Sequence, residues 1–523
     1  MELKIRGDQQ EVIMAFQEGQ TVHEILRGNG TYQSAPCGGR GICGKCKIRV
    51  LEGELAITEQ DRIHLSKEEL SKGVRLSCCA YPKGNLTIEM ETQEQFLVVT
   101  AVDKLADDMV EERNDKEYGF AIDIGTTTIA VELIHRKTGR IVEAAGEVNQ
   151  QRSYGAEVIA RISSCNEGNL EKLSCMVRNQ LKEMMLTIWK QCFLSGELEG
   201  KLTSIVIAGN TTMCHILMGY SCEQLGVYPF TPVNIKTIHV ASQELFGEEI
   251  PSCMVTVLPS ISTYVGGDIV SGLVACGFHK NRNVSVLLDL GTNGEMAIGN
   301  CEHLLVTSAA AGPAFEGGNI MCGIGSVPGA IQAVSLVTQA GENYFKVKTI
   351  EDKSPIGICG SGVIETVAEL LEAEIIDETG SLDEDYFEDG VLLAKTDCSE
   401  IRFTQKDVRE IQMAKSAVFS ALRLLVRRYG TTMESIDKVY LAGGFGFFVN
   451  LEKAIRIGLL PSQWQEKIVQ VGNSALQGAV LGVLNEDCIT DMERLVACSE
   501  ELSLVADKEF SEWYMENMFF DSL

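Results

Sequence analysis

Positive charge is what this chain is short of. Its 523 residues hold 45 Lys and Arg against 73 Asp and Glu, a formal net charge of −28. A surface of that sign does not displace counterions from phosphate and is the wrong sign for docking on anionic lipid, so most ordinary nucleic-acid binding is ruled out and neither nucleic acid nor membrane is an expected partner. Uninterrupted apolar runs are lacking too. The charge-free stretches Leu202–Cys222 and Gly317–Gly341 are broken by Gly209, Asn210, Thr211 and Thr212 in one and by Gly323, Gly325, Pro328 and Gly329 in the other. Hydrocarbon would leave their polar groups unpaired, so no membrane span is expected. Met1–Gly7 carries Glu2, Lys4 and Arg6 and no apolar secretory core, which makes the cytoplasm the expected location. No Gly-x4-Gly-Lys-Ser/Thr loop occurs, so a Walker-type nucleotide site is ruled out. Global disorder is excluded as well, because 45% hydrophobic and 23% charged residues suffice for real cores, in about three folding units at this length.

Cysteine, by contrast, is plentiful, with eighteen in the chain. In a reducing compartment they stay thiols, so a cluster of them points to a metal or redox centre and not to a disulfide framework. Most are scattered among apolar or mixed neighbours and read as small buried hydrophobes. Cys37, Cys43, Cys46, Cys78 and Cys79 differ in falling together near the N-terminus. The first three are spaced C-x5-C-x2-C, and Cys78 follows after thirty-one intervening residues. Plant-type 2Fe-2S sites use C-x4-C-x2-C and a distant fourth Cys, one residue shorter in the first gap. Gly38, Gly39, Gly41 and Gly44 leave the loop little bulk, so its backbone N–H groups are free to point at the sulfurs of an anionic cluster. A zinc site and a set of idle thiols are the alternatives, although structural zinc usually takes two separated C-x2-C knuckles. In an extended segment Cys78 and Cys79 point to opposite sides, so one of them is expected to ligate.

Around this loop the first 91 residues read as short strands at Leu3–Arg6, Glu11–Phe16, Lys47–Leu51 and Leu86–Met90, with one helix from Val22 to Arg27 capped by Thr21 and closed by Gly28 and Gly30. Residues 92–117 form an acidic linker, with Asp103, Asp107, Asp108, Glu111, Glu112 and Asp115 in a stretch without apolar periodicity. Residues 118–523 change character to strands, Gly-rich turns and amphipathic helices such as Leu170–Phe193 and Gln405–Tyr429, an α/β pattern.

Two hairpins in this second part echo each other. Gly119–Asp123 enters the turn Gly125-Thr126-Thr127-Thr128 and Ile129–Ile134 leaves it; Val284–Asp289 enters Gly291-Thr292-Asn293-Gly294 and Glu295–Ile298 leaves it. A glycine lets the backbone approach phosphate oxygens, the hydroxyls add donors, and Asp123 or Asp289 at the strand end can hold Mg²⁺ or orient the attacking water. Tight hairpin turns alone would explain the glycines but not the acid and hydroxyls repeated at the same offsets. A third turn, Ala442-Gly443-Gly444-Phe445-Gly446, follows the strand around Leu441. The runs Ala208–Met213, Gly312–Gly318 and Gly357–Gly362 either line the same cleft or are structural turns.

The cysteine loop resembles that of adrenodoxin-like ferredoxins, whose Arg-Leu-Ala-Cys-Gln motif maps onto Arg75–Cys79 and implies Cys37, Cys43, Cys46 and Cys78 as cluster ligands. The paired Asp-Gly turns and the Ala-Gly-Gly turn resemble the superfamily of acetate kinase, sugar kinases, heat-shock chaperones and actin (ASKHA), in which duplicated halves clamp ATP. That implies Asp123 and Asp289 as catalytic, Gly125, Thr126, Thr127, Thr128, Gly291, Thr292, Asn293 and Gly294 at the phosphates, and Gly443, Gly444 and Gly446 at adenosine. Together the two resemble the ATP-dependent reductive activators of corrinoid proteins. The fold class implied is an α+β and α/β multidomain chain: a β-grasp ferredoxin-like domain over 1–91, then a duplicated actin-like ATPase over 118–523. The activity implied is delivery of one electron from a 2Fe-2S cluster to the Co(II) of a corrinoid protein in a methyltransferase system, giving Co(I), with ATP and Mg²⁺ as further cofactors. An upstream electron donor and a homodimer are implied by the same resemblance. The alternatives are an ATP-gated donor to another low-potential enzyme and a redox-sensing, ATP-binding regulator.

Overall fold

The computed structural model describes residues 1–6, 11–29, 31, 33, 41, 44, 46–90, 116–194, 199–339, 342–396, 400–505 and 507–520. The linker expected over 92–117 therefore lies, up to residue 115, outside the described residues. By its internal contacts the chain divides into two compact units, one of Met1–Glu94, Val148–Gln180 and His215–Thr231, the other of Gln95–Glu147, Leu181–Cys214 and Pro232–Leu523.

In the first unit, β1 (Glu2–Arg6), β2 (Glu11–Ala15), β3 (Lys47–Glu52), β4 (Val74–Leu76) and β5 (Leu86–Met90) form a sheet in the order β2-β1-β5-β3-β4. β1 and β5 are parallel, with Leu3 opposite Leu86, and the remaining pairs are antiparallel. Leu3 and Ile5 face inward while Glu2 and Arg6 face out, the period of a half-buried strand. Against them pack Val22, Ile25 and Leu26 of the helix Val22–Gly28, completing the β-grasp arrangement of a ferredoxin-like domain. Two short helices not anticipated above, Glu59–His64 and Lys67–Ser71, each begin with a capping box, Thr58 with Asp61 and Ser66 with Glu69.

The α/β part carries two six-stranded sheets of matching plan. β6 (Glu117–Ile124), β7 (Thr128–His135) and β8 (Ile141–Val148) lie side by side, and β9 (Lys201–Gly209) is parallel to β6. β10 (Ile238–Ala241) and β11 (Met254–Val257) extend this sheet, in the order β10-β11-β9-β6-β7-β8. β12 (Ser285–Leu290), β13 (Gly294–Gly299) and β14 (Leu304–Ala309) repeat the arrangement. After a small sheet of β15 (Ala330–Gln339), β16 (Glu342–Thr349) and β17 (Gly357–Ile358) and a hairpin of β18 (Val391–Lys395) and β19 (Glu400–Phe403), the chain returns as β20 (Val439–Ala442), parallel to β12. β21 (Ile468–Gly472) and β22 (Ser499–Glu501) complete the order β21-β20-β12-β13-β14-β22. The duplication expected from the paired hairpins is thus a duplication of five strands.

β6 and β12 are interior strands covered on both faces. Phe120, Ala121 and Ile122 in one and Val286, Leu287 and Leu288 in the other are at most 1% exposed, so each reads as an apolar run ending in an aspartate. Two helices, Gly267–Ala275 and Ser474–Leu484, pack closely enough that a Cβ on Gly478 would sit 2.2 Å from Ser271 O, a position that only glycine fills. Ser271 Oγ donates to Ala475 O across the same contact at 2.6 Å. The helix Gln405–Tyr429 has the bounds expected from its periodicity, set by a Thr404–Asp407 capping box and a left-handed Gly430. From its buried middle, Lys415 Nζ donates to Asn517 O at 2.7 Å and Phe519 O at 2.5 Å, fixing the segment after the helix Lys508–Glu516. Among the described residues no helix is long and apolar enough to cross a membrane.

Candidate functional site

Of the cysteine loop, Cys37 and Cys43 lie outside the described residues, as do Gly38 and Gly39. Cys46 and Cys78 are both buried, with their sulfurs 3.1 Å apart. Residues 77–79 form a turn, Cys79 N donating to Leu76 O at 3.0 Å. Because the segment turns and does not extend, the expected opposition of Cys78 and Cys79 does not occur, and their sulfurs lie 3.6 Å apart. Asp61 holds this turn in place: the carboxylate that caps the helix Glu59–His64 also accepts from Leu76 N at 2.8 Å. On the loop side, Gly41 has φ +74°, and a Cβ there would meet Cys79 Sγ at 3.0 Å. Sulfurs this close together, with bare backbone at Gly41 beside them, suit a 2Fe-2S cluster, so the described residues fit that group. Burial and the adjacent Cys46 sulfur, the latter first, push the Cys78 thiol well up. A bound iron would replace that proton.

The second constellation is a cleft of about 230 Å³ lined by Asp123, Gly125 to Thr128, Asp289 to Asn293, and Gly443 and Gly444. The two Asp-Gly loops and the Ala-Gly-Gly turn therefore meet, although 166 residues separate the two aspartates in sequence. β20 carries Gly443 to the side of Asp289: its φ is +87°, and a Cβ would sit 2.6 Å from Asp289 Oδ1. Gly294 and Gly446, from the same motifs, are not among the lining residues; Gly294 packs toward Val418 and Gly446 toward Leu441. Residues that the motifs did not point to complete the cleft. Asp268 comes from the first turn of the helix Gly267–Ala275, and Asn473 caps the helix Ser474–Leu484 by accepting from Leu476 N at 2.8 Å. Glu295 and Phe448 line it as well. Of the glycine-rich runs left open above, each contributes: Asn210, whose Nδ2 donates to Thr126 Oγ1 at 3.0 Å, then Phe315 and Glu316, then Gly360 and Ser361. His215, by contrast, is buried and meets the Tyr220 ring edge-on, a core histidine.

Crowding of carboxylates sets the electrostatics. Burial pushes Asp123 up to about 7, an Asn473 hydrogen bond pulling against it and the Asp268 charge adding to it. Asp289 is pushed to about 7 by burial and by Asp268, Asp123 and Glu316, and burial takes Asp268 to about 6. Glu295 is held well above the carboxylate range by burial and its acidic neighbours. Acids gathered this tightly favour a divalent cation, which would compensate their charge and restore the ionised forms. The hydroxyls and bare loop backbone opposite them offer donors to an anion.

Comparison with known proteins assigns the parts. Residues 5–83 match the 2Fe-2S iron-sulfur cluster binding domain, residues 118–281 the RACo middle region, and residues 283–522 the C-terminal domain of RACo, the ASKHA domain. The chain belongs to the RACo family. Along nearly its whole length this RACo family member is similar to the corrinoid activation enzyme RamQ of Eubacterium limosum, 26% identical over 95% of this chain and 96% of that one. It is also similar to the Co(II) methylated amine-specific corrinoid protein reductase of Methanosarcina barkeri, 24% identical over 76% of each. A solved structure of a reductive activator for corrinoid, iron-sulfur protein superposes with a TM-score of 0.70 at 28% identity, covering 99% of this chain and 98% of that one.

Proposed function

We propose that this RACo family member is an ATP-dependent reductive activase that returns the cobalt of a corrinoid protein from Co(II) to Co(I) for a methyltransferase system. The observation that carries the reading is the presence, in one chain, of converging cluster thiols and a carboxylate-lined cleft where two Asp-Gly loops meet. Cys37, Cys43, Cys46 and Cys78 are the proposed ligands of the 2Fe-2S cluster. When bound, such a cluster supplies single electrons at a potential of about −400 mV.

That potential gives ATP its purpose. The resemblance places the Co(II)/Co(I) couple lower still, and each ~59 mV of gap costs a one-electron step roughly 1.4 kcal/mol. Nucleotide binding and hydrolysis shift the populations of conformers and so offset an uphill transfer of this size. In the cleft, Asp123 and Asp289 would hold Mg²⁺ or orient the attacking water, the hydroxyls of Thr126, Thr127, Thr128 and Thr292 would donate to phosphate oxygens, and the turn at Gly443 and Gly444 would seat adenosine. Asn473 supports the charged form of Asp123. A separate donor refills the cluster, the protein works in the cytoplasm, and it is a homodimer.

The test is absorbance at the Co(I) band with full-length protein, a corrinoid protein and a low-potential reductant, with and without ATP. Sustained Co(I) only with ATP and Mg²⁺ is expected. Equal Co(I) without nucleotide overturns the reading and leaves the regulator as the better one.

A further inference from the structure

The run Gly312–Gly318 has a role that the phosphate motifs do not supply. Its single-turn helix Pro313–Glu316 places the Glu316 carboxylate between the two Asp-Gly loops. Oε2 accepts from Thr292 Oγ1 at 2.8 Å and from Thr127 Oγ1 at 3.3 Å. Oε1 lies 3.7 Å from the point where a Cβ on Gly291 would be. An anion thus takes one hydroxyl from each duplicated half and rests over the bare backbone of the second loop, the contacts a phosphate oxygen would make. The turn is bracketed by Gly312 and Gly317, with φ +76° and +77°, values that glycine adopts without strain. Phe315 stacks on Phe445 at 5.1 Å between centroids, so a shift of the turn reaches the Ala-Gly-Gly motif.

We propose that Glu316 is an internal anion that occupies the phosphate seat of the cleft until a polyphosphate displaces it, and that it thereby sets the affinity for ATP. The proposal rests on the reading of the cleft as a nucleotide site. Carboxylate and phosphate have the same sign and compete for the same two hydroxyls, so the apparent dissociation constant is the intrinsic one divided by the fraction of molecules whose seat is empty. Glutamine at this position keeps the shape, loses the charge and can donate to a bound phosphate. Glu316 acts through Thr127 and Thr292 and is a positioning residue.

Calorimetric titration of the full chain with Mg·ATP and, separately, with adenosine tests this in wild type, Glu316→Gln and Glu316→Ala. Both variants are expected to bind ATP about tenfold more tightly, and adenosine, which has no phosphate, as the wild type does. The split between the two ligands is a signature that a purely structural role would not give. If wild type binds ATP and both variants bind it equally or more weakly, or if adenosine tightens in step with ATP, the placeholder role is overturned while the nucleotide site stands. If wild type binds no ATP, the nucleotide reading falls and the proposal with it.

Discussion

Asn473 donates from Nδ2 to Asp123 Oδ2 at 2.9 Å, so the cap of one helix restrains a carboxylate 350 residues earlier in the chain. The same amide, through Oδ1, closes the first turn of its own helix at Leu476 N. Asn473→Leu removes both contacts. Loss of the cap is expected to cost about 0.5–2 kcal/mol, read as a lower denaturation midpoint. Loss of the donor moves Asp123 further up, shifting the acidic limb of the ATPase pH profile to higher pH. Asn473→Asp keeps a capping oxygen but sets a second charge beside Asp123; stability nearer to wild type with poor ATP turnover is the expected result. An unshifted limb in Asn473→Leu would separate Asn473 from the chemistry.

Replacing Asp123 or Asp289 by Ala is expected to abolish ATP turnover and leave the visible spectrum of the cluster unchanged. Hydrolysis by both variants at the wild-type rate would remove these carboxylates from the catalytic step.

Cys46→Ser and Cys78→Ser are expected to lose or strongly alter the cluster, read as iron and acid-labile sulfide per chain and as the visible spectrum of anaerobically purified protein. Cys79→Ser should retain both. With the two sulfurs 3.6 Å apart, the double variant is informative as well: partial cluster in Cys78→Ser that disappears in Cys78→Ser/Cys79→Ser would show Cys79 standing in as ligand.

The raised acids predict how the nucleotide-free protein responds to pH. Asp123 and Asp289 titrate near 7 in the fold against 3.8 ordinarily, so between those values the folded form holds more protons than the unfolded one. Their contribution to stability is then greatest at low pH and falls as pH rises through that window. Melting temperatures measured in chelator should decline from about pH 4 to about pH 7 more steeply in wild type than in Asp123→Asn or Asp289→Asn. Parallel slopes in all three proteins would mean that these groups are not raised.

Lys415 is 1% exposed and donates to the carbonyls of Asn517 and Phe519. Lys415→Met leaves those carbonyls without that donor at a cost of about 1–3 kcal/mol each. The expected outcome is a lowered midpoint and faster proteolysis after residue 507, with ATP affinity and the cluster spectrum unchanged.

What could be read in the sequence was whatever the chain states locally. The Asp-Gly hairpins, the helix Gln405–Tyr429 and the strands about the cysteine loop each carry their period and their turn residues within one short window. The helices Glu59–His64 and Lys67–Ser71 also announce themselves, through Thr58 with Asp61 and Ser66 with Glu69, but they are too short to show an apolar face. Asp268 and Asn473 could not be found in this way. Their place in the cleft comes from the packing of two helices remote in sequence, made possible by Gly478, and a Gly-Gly-Asp or Gly-Asn-Ser tripeptide carries no trace of it. The approach of the Cys78 and Cys79 sulfurs is hidden from the sequence for a related reason: their segment turns where an extended one is expected, next to Leu76, whose N–H is held by Asp61 from another element.

The placement of β5 bears on the order in which the molecule comes into being. It lies between β1 and β3, so the five-stranded sheet closes once residue 90 has left the ribosome. The cleft needs Asn473, and at roughly 5–20 residues per second that residue is synthesised on the order of tens of seconds later. A nascent chain therefore completes the sheet that carries its thiols before it has anywhere to put a nucleotide, and a chain that stops short of residue 473 has that sheet without the residue that restrains Asp123.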